Sequence, residues 1–298
     1  MTRRAYEKIK LSPSTLATIK KANEIIAEYQ ADGFDLTLRQ LYYQFVSRDL
    51  LENKQTEYKR LGDIISKGRR CGLIDWDAIV DRTRRLRTLS TWSSPGEIIE
   101  TCVDAFHLDL WRRQPARVEV WFEKDALEGV FERACETHRL PYFSCRGYTS
   151  DSEIWVAAQR LARHRDKQIV ILHFGDHDPS GLDMTRDIRD RLLLLGAPKK
   201  LEVRRMALNM DQVDEYEPPP NPAKETDSRF AGYRAEHGDE SWELDALDPK
   251  TLAKLVEDEV AALIEWDTWE ADHERENEER ARLRHVADNF DEIVEAAT

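Results

Sequence analysis

Residues Gln168–Met184 read QIVILHFGDHDPSGLDM. The short apolar run, rich in β-branched residues, predicts a strand buried on both faces. It stops at Gly175, and Asp176 and Asp178 follow one residue apart. In an extended chain residues i and i+2 point the same way, so the two carboxylates are expected on one face. Pro179-Ser180-Gly181 then turns the backbone into a helix, with proline at its first turn.

Outward from this stretch, strand and helix alternate. RVEVWFE is expected as a strand and KDALEGVFERACETH as a helix, followed by strand LPYFSCRG and helix SDSEIWVAAQRLARHR. Beyond the central stretch lies strand LEVRRMAL. Strands separated by helices of this length predict a parallel, doubly wound sheet. EPPPNPAK reads as a proline-rich loop, and helices close the chain from about Pro249. In an open α/β sheet ligands sit outside the carboxyl ends of the strands. Glu123 ends one such strand, and Asp176 and Asp178 end another. An acid alone at a strand end is more often a helix cap or solvated. Three together form a hard oxygen site suited to Mg²⁺, with Mn²⁺ as its substitute. His173 and His177 flank it and read either as packing or as residues that support the carboxylates from behind; their spacing does not make them ligands.

Toward the N-terminus the pattern is helical. SPSTLATIKKANEIIAEYQADG carries Ser12 as N-cap, Pro13 in the first turn and Gly33 past the end. TLRQLYYQFVSRDLL is a second helix, and TEYKRLGDIISKGRR a third, bearing Lys59, Arg60, Lys67, Arg69 and Arg70. LIDWDAIVDRTRRLR, with Arg84 and Arg85, is expected as a wing. Three helices and a wing are the pattern of a winged helix-turn-helix. A further helix from Ser94-Pro95 to about Gln114 bridges onward. The domain reading is therefore 1–90, a linker helix over 91–116, and the α/β domain with its helical extension over 117–298.

Tyr42 falls on the apolar stripe of the second helix with Leu38 and Phe45, and reads as core. Tyr43 is four residues from both Arg39 and Ser47, on the polar face beside a guanidinium. It is the candidate nucleophile, with Arg39 a phosphate contact or a tuner of its phenol.

The net charge is −13, but residues 1–117 hold 21 Lys+Arg against 16 Asp+Glu, and residues 118–298 hold 24 against 42. A basic front and an acidic remainder fit contact with double-stranded DNA through the N-terminal part. Four cysteines without a CxxC pair, no secretory h-region at the start and no apolar run of membrane-spanning length lead us to expect a cytoplasmic protein off the membrane.

The pairing of L41-Y-Y43 on a helix with E123-K-D-A and G175-D-H-D-P-S-G181 resembles the A subunit of topoisomerase VI and its meiotic relative, the double-strand-break transesterase. R146-G-Y-T-S-D and S241-W-E-L-D-A-L247 look like further family segments. The resemblance spans most of residues 37–265. It implies a winged-helix domain followed by a Toprim domain, with Tyr43 as nucleophile and Glu123, Asp176 and Asp178 holding Mg²⁺. It also implies a homodimer in which the tyrosine of one chain faces the carboxylates of the other. The chain is short for a full A subunit and has no P-loop, so a separate ATPase subunit is the implied partner. It looks most like the compact stand-alone versions encoded by bacteria, plasmids and phages. The expected activity is DNA cleavage by tyrosyl transesterification. The alternative is a Toprim nuclease that uses water, with plasmid or phage defence as its setting, and a third reading is a DNA-binding protein without catalysis.

Overall fold

The computed structural model describes residues 3–79 and 89–297. Four parallel strands form the central sheet: β1 (Ala116–Phe122), β2 (Tyr142–Ser144), β3 (Gln168–Phe174) and β4 (Leu201–Ala207), in the order β2-β1-β3-β4. Each expected strand of the α/β part is present. α5 (Glu128–His138), α6 (Asp151–Leu161) and α7 (Pro179–Leu194) make the crossovers. The chain moves from β1 out to β2 and then passes back over β1 to β3, so the strand order reverses between β1 and β3. Register fixes what stands at that point. β1 and β3 pair from Ala116↔Gln168 to Phe122↔Phe174, which brings Glu123 level with Gly175.

Alternation along β1 and β3 divides the core. Val118, Val120, Phe122, Val170, Leu172 and Phe174 pack on one face against α5 and α10 (Pro249–Ala261). Trp121, Ile169 and Ile171 pack on the other against α6 and α7. Phe131 of α5 stacks on Phe122 at 4.5 Å between ring centroids. Burial on both faces explains why these strands read as nearly continuous apolar runs.

α1 (Pro13–Ala31), α2 (Leu38–Ser47) and α3 (Gln55–Arg70) pack around Ile25, Leu41, Phe45, Leu61 and Ile65. Ser12 caps α1 by accepting from the Thr15 amide at 3.2 Å. Thr37 and Gln40 form a capping box on α2, with each side chain accepting from the other's backbone amide. Around this unit the described residues make only isolated bridges, Ala5↔Cys71 and Leu36↔Ile79. The expected wing is described only as far as Ile79, and Arg84 and Arg85 lie outside the described residues.

The bridging helix is shorter than expected. α4 (Pro95–Ala105) ends nine residues before Gln114 and gives way to a 3-10 turn at Leu110–Arg112. Competing contacts explain the break. The Leu108 amide donates to Glu276 at 2.7 Å, and Lys167 Nζ donates to the carbonyls of Trp111, Arg112 and Gln114 at 2.7–2.8 Å. Helical hydrogen bonding would have to give these up.

After β4 come α8 (Met210–Tyr216), a small antiparallel ribbon of β5 (Asn221–Pro222) and β6 (Glu240–Ser241), and α9 (Phe230–His237) between its strands. α10 is followed by α11 (Trp266–Asp288) and α12 (Phe290–Ala297). α11 is anchored by Glu276, which is fully buried, pairs with Arg139 and Arg280, and accepts from Leu108. Among the described residues no helix is long and apolar enough to cross a membrane.

Candidate active site

Glu123 leaves the end of β1, and Asp176 and Asp178 leave the end of β3, at the reversal of strand order. Glu123 Oε2 accepts from the Asp176 amide at 2.9 Å. Asp176 Oδ1 accepts from the Leu244 amide at 2.8 Å, and its Oδ2 lies 3.1 Å from Lys124 Nζ. Asp178 is the N-cap of α7: its Oδ1 accepts from the Gly181 amide at 2.6 Å and from Ser180 Oγ at 2.9 Å. A Cβ on Gly181 would stand 2.2 Å from the Asp176 carbonyl oxygen, so only glycine lets the turn close.

The two aspartates therefore reach the same turn but do different work, one paired to Lys124 and the other capping a helix. Strand alternation does not govern them, because β3 has ended at Phe174. Among the described residues no group of three or more His, Cys, Asp or Glu side chains stands close enough to hold a metal ion as placed. The donor chemistry nevertheless suits a hard divalent cation. Burial raises the Glu123 carboxyl, with the Asp178 charge adding to it against the Asp176 amide. Burial also brings Asp176 up to about 7, opposed by Lys124 and helped by Glu123. Buried carboxylates that disfavour one another's charge are the groups a divalent ion relieves.

Beneath the turn lies Arg205 of β4. Its guanidinium donates to the carbonyls of Gly175 (3.1 Å), Asp176 (2.6 Å), Gly181 (2.8 Å) and Leu208 (3.1 Å). Burial lowers it to about 10, although Glu123, Asp176 and Asp178 all favour its charge. His173 and His177 are both buried. His173 Nδ1 lies 2.8 Å from Thr185 Oγ1, and His177 Nδ1 lies 2.9 Å from Tyr233 Oη. Burial holds both rings neutral, near 3 and 4 respectively.

The backbones of His177 and Trp242 exchange two hydrogen bonds, at 2.8 and 3.0 Å. This bridge pins the segment Ser241–Leu247 beside the turn and delivers Glu243 and Asp245. Lys124 Nζ donates to Glu243 Oε2 at 2.9 Å and to Asp245 Oδ1 at 3.1 Å. From α2, Arg39 Nε stands 2.7 Å from Asp245 Oδ2, and Arg39 Nη2 also reaches Glu243. Tyr43 Oη donates to Glu243 Oε2 at 3.1 Å, with Arg39 Nη2 3.4 Å from the same hydroxyl.

Tyr43 and Arg39 are thus neighbours, as the spacing predicted. Two features of the surroundings were not foreseen. The polar face that carries Tyr43 is covered: Tyr43 is 4% exposed, because α2 packs its ring between Tyr42 and the late segment. Arg39 does act to bring the phenol down, but it is outweighed. Burial, then Asp245 and Glu243, push it up, and Arg39 and Lys124 oppose them without prevailing, since both cations already face carboxylates. Tyr42 is core, with its hydroxyl accepting from the Lys54 amide at 2.8 Å. Compared with family models and with curated proteins, the chain matches none.

The basic helix is only partly available for a ligand. Lys59 and Lys67 are exposed, and Arg60, also exposed, pairs with Glu57. Arg69 instead donates to the carbonyls of Trp76 and Ile79, and Arg70 pairs with Glu7 at 3.1 Å. Lys124, Arg205, Glu243 and Asp245 were not picked out from the sequence as site residues. Lys124 could have been noticed directly after Glu123. The acids at 243 and 245 repeat the i, i+2 spacing of 176 and 178. Arg205 gave no such signal, because it shares the edge strand β4 with the charged Glu202 and Arg204.

Proposed function

We propose that this protein is a divalent-metal-dependent DNA transesterase with a winged-helix unit followed by a Toprim-like sheet domain. The observation that carries the reading is the convergence of Tyr43, Arg39 and Lys124 on one carboxylate oxygen, with Lys124 continuing to Asp176. A phenol between two cations beside a carboxylate site is suited to attack on a phosphodiester. In the step, Tyr43 Oη bonds to phosphorus and the bond from phosphorus to a deoxyribose oxygen breaks. The phenol proton is lost to solvent, and the leaving oxygen takes one up to become a hydroxyl. One phosphodiester replaces another, so the step is reversible. Glu123, Asp176 and Asp178 are the residues that would hold Mg²⁺ or Mn²⁺, which would supply charge stabilisation at the phosphate. Arg39 and Lys124 steady the non-bridging oxygens. Duplex DNA would meet Lys59, Arg60 and Lys67 through its phosphates.

A second reading keeps the metal carboxylates and makes water the nucleophile. What favours it is that Tyr43 is buried with its hydroxyl already bonded and its phenol pushed up. Incubation with supercoiled plasmid and Mg²⁺ or Mn²⁺, quenched with detergent, separates the two. Protein attached to DNA ends supports the transesterase, and cleaved ends free of protein support the nuclease.

A further inference from the structure

One oxygen, Glu243 Oε2, accepts from Tyr43 Oη at 3.1 Å, from Lys124 Nζ at 2.9 Å and from the Arg39 guanidinium. A phenol, an ammonium and a guanidinium around a single anionic oxygen form the donor set that a non-bridging phosphate oxygen would find at a phosphoryl-transfer centre. The floor of this seat is closed. Asp245 is fully buried and contacts both cations, and Tyr43 is buried beside it. Its mouth is open, because the side chains of Arg39, Glu243 and Lys124 keep 41%, 29% and 21% exposure. The backbone next to Glu243 is pinned by the His177–Trp242 bridge, so only the glutamate side chain has to move to empty the seat. A phosphodiester carries one negative charge, as Glu243 does, so exchange of one for the other leaves the charge balance of the cluster intact.

We propose that the Glu243 carboxylate occupies the seat of the scissile phosphodiester, and that this seat is assembled within a single chain from Tyr43, Arg39 and Lys124. Glu243 is then a built-in competitor that DNA displaces. The role given to Tyr43 rests on the transesterase reading, whereas the anion seat does not. The family resemblance implies a tyrosine that faces the partner chain's carboxylates. Here Tyr43 and Lys124 of one chain meet on the same Glu243 oxygen, at 3.1 and 2.9 Å, and Lys124 lies 3.1 Å from Asp176 of that chain, so a phosphate oxygen in place of the glutamate would be held by the same two groups.

The test has two arms. In the first, a labelled DNA duplex is titrated by fluorescence anisotropy with the full-length chain carrying Glu243→Gln or Lys124→Gln. Loss of the competing charge should tighten binding roughly fivefold, and loss of the ammonium should weaken it roughly tenfold. If both variants bind more weakly and melt earlier together, Glu243 is a structural strut and the seat is overturned. In the second, chains with Tyr43→Phe and chains with Lys124→Gln carry different affinity tags and are co-purified as mixed oligomers. Single-chain assembly expects no covalent adduct from the mixture. Adducts restored by mixing would overturn it, whereas adducts from wild type that yields no mixed oligomer support it. Should wild type form no adduct at all, the transesterase reading and the single-chain role of Tyr43 both fall. Opposite affinity shifts in the first arm would still uphold the anion seat.

Discussion

At the residue scale, the two adjacent tyrosines are separated by what their hydroxyls touch. Tyr43 Oη faces Glu243 and Arg39, whereas Tyr42 Oη holds the Lys54 amide in the link between α2 and α3. Tyr43→Phe is expected to abolish covalent adducts on a detergent gel. Tyr42→Phe should keep them and lose about 1 kcal/mol of stability in a chemical melt, because the part-buried Lys54 amide loses its acceptor. Spacing along α2 was enough to put Tyr43 beside Arg39. It could not show that Tyr43 is covered, because the cover comes from Glu243 and Asp245, 200 residues away along the chain. Pairings at that distance leave no periodic trace in a sequence.

At the element scale, the turn after β3 depends on a residue from β4. Arg205 donates to four carbonyls of the turn and its neighbourhood, and a lysine cannot span them. Arg205→Lys is expected to cost about 2–3 kcal/mol in denaturant unfolding through carbonyls left without donors. It should also weaken Mn²⁺ binding measured by calorimetry. α11 offers a pH-dependent counterpart. Burial would raise Glu276, but hydrogen bonds from Arg139 and the Leu108 amide, with the charges of Arg139 and Arg280, hold it down to about 2. A carboxyl lowered by folding stabilises the protein above its unfolded value, and that contribution is lost as pH falls from about 4.5 toward 2. Thermal melts across this window should decline in wild type. Glu276→Gln should start lower by about 3 kcal/mol and decline less, since two half-buried guanidinium groups lose a fully buried counter-charge. Strand and helix alternation made the sheet legible, because each buried strand is a compact apolar run. The early end of α4 was not legible, since it depends on Glu276 and Lys167 taking backbone groups from distant parts of the chain.

Across the whole molecule, charge is divided along the chain, with the basic excess before residue 118 and the acidic excess after it. Composition revealed that division. It could not reveal that Arg69 and Arg70 hold the N-terminal unit together, because an arginine bonded to a carbonyl and one awaiting a phosphate look alike in a sequence. The substitutions should therefore act differently. Lys59→Gln with Lys67→Gln is expected to leave the melting temperature unchanged and to reduce the slope of log affinity for DNA against log salt by about 2. Arg69→Gln should lower the melting temperature.

The joint between α2 and the segment at residues 243–245 also bears on how separable the two halves are. Arg39 and Tyr43 belong to the helical unit, while Lys124, Glu243 and Asp245 belong to the sheet domain, and each set neutralises or hydrogen-bonds the other. A chimera that grafts a foreign helical unit onto this sheet domain would strand the buried Asp245 with Lys124 as its remaining cation. The two halves are thus not interchangeable modules, and a successful graft would have to carry both sides of the joint.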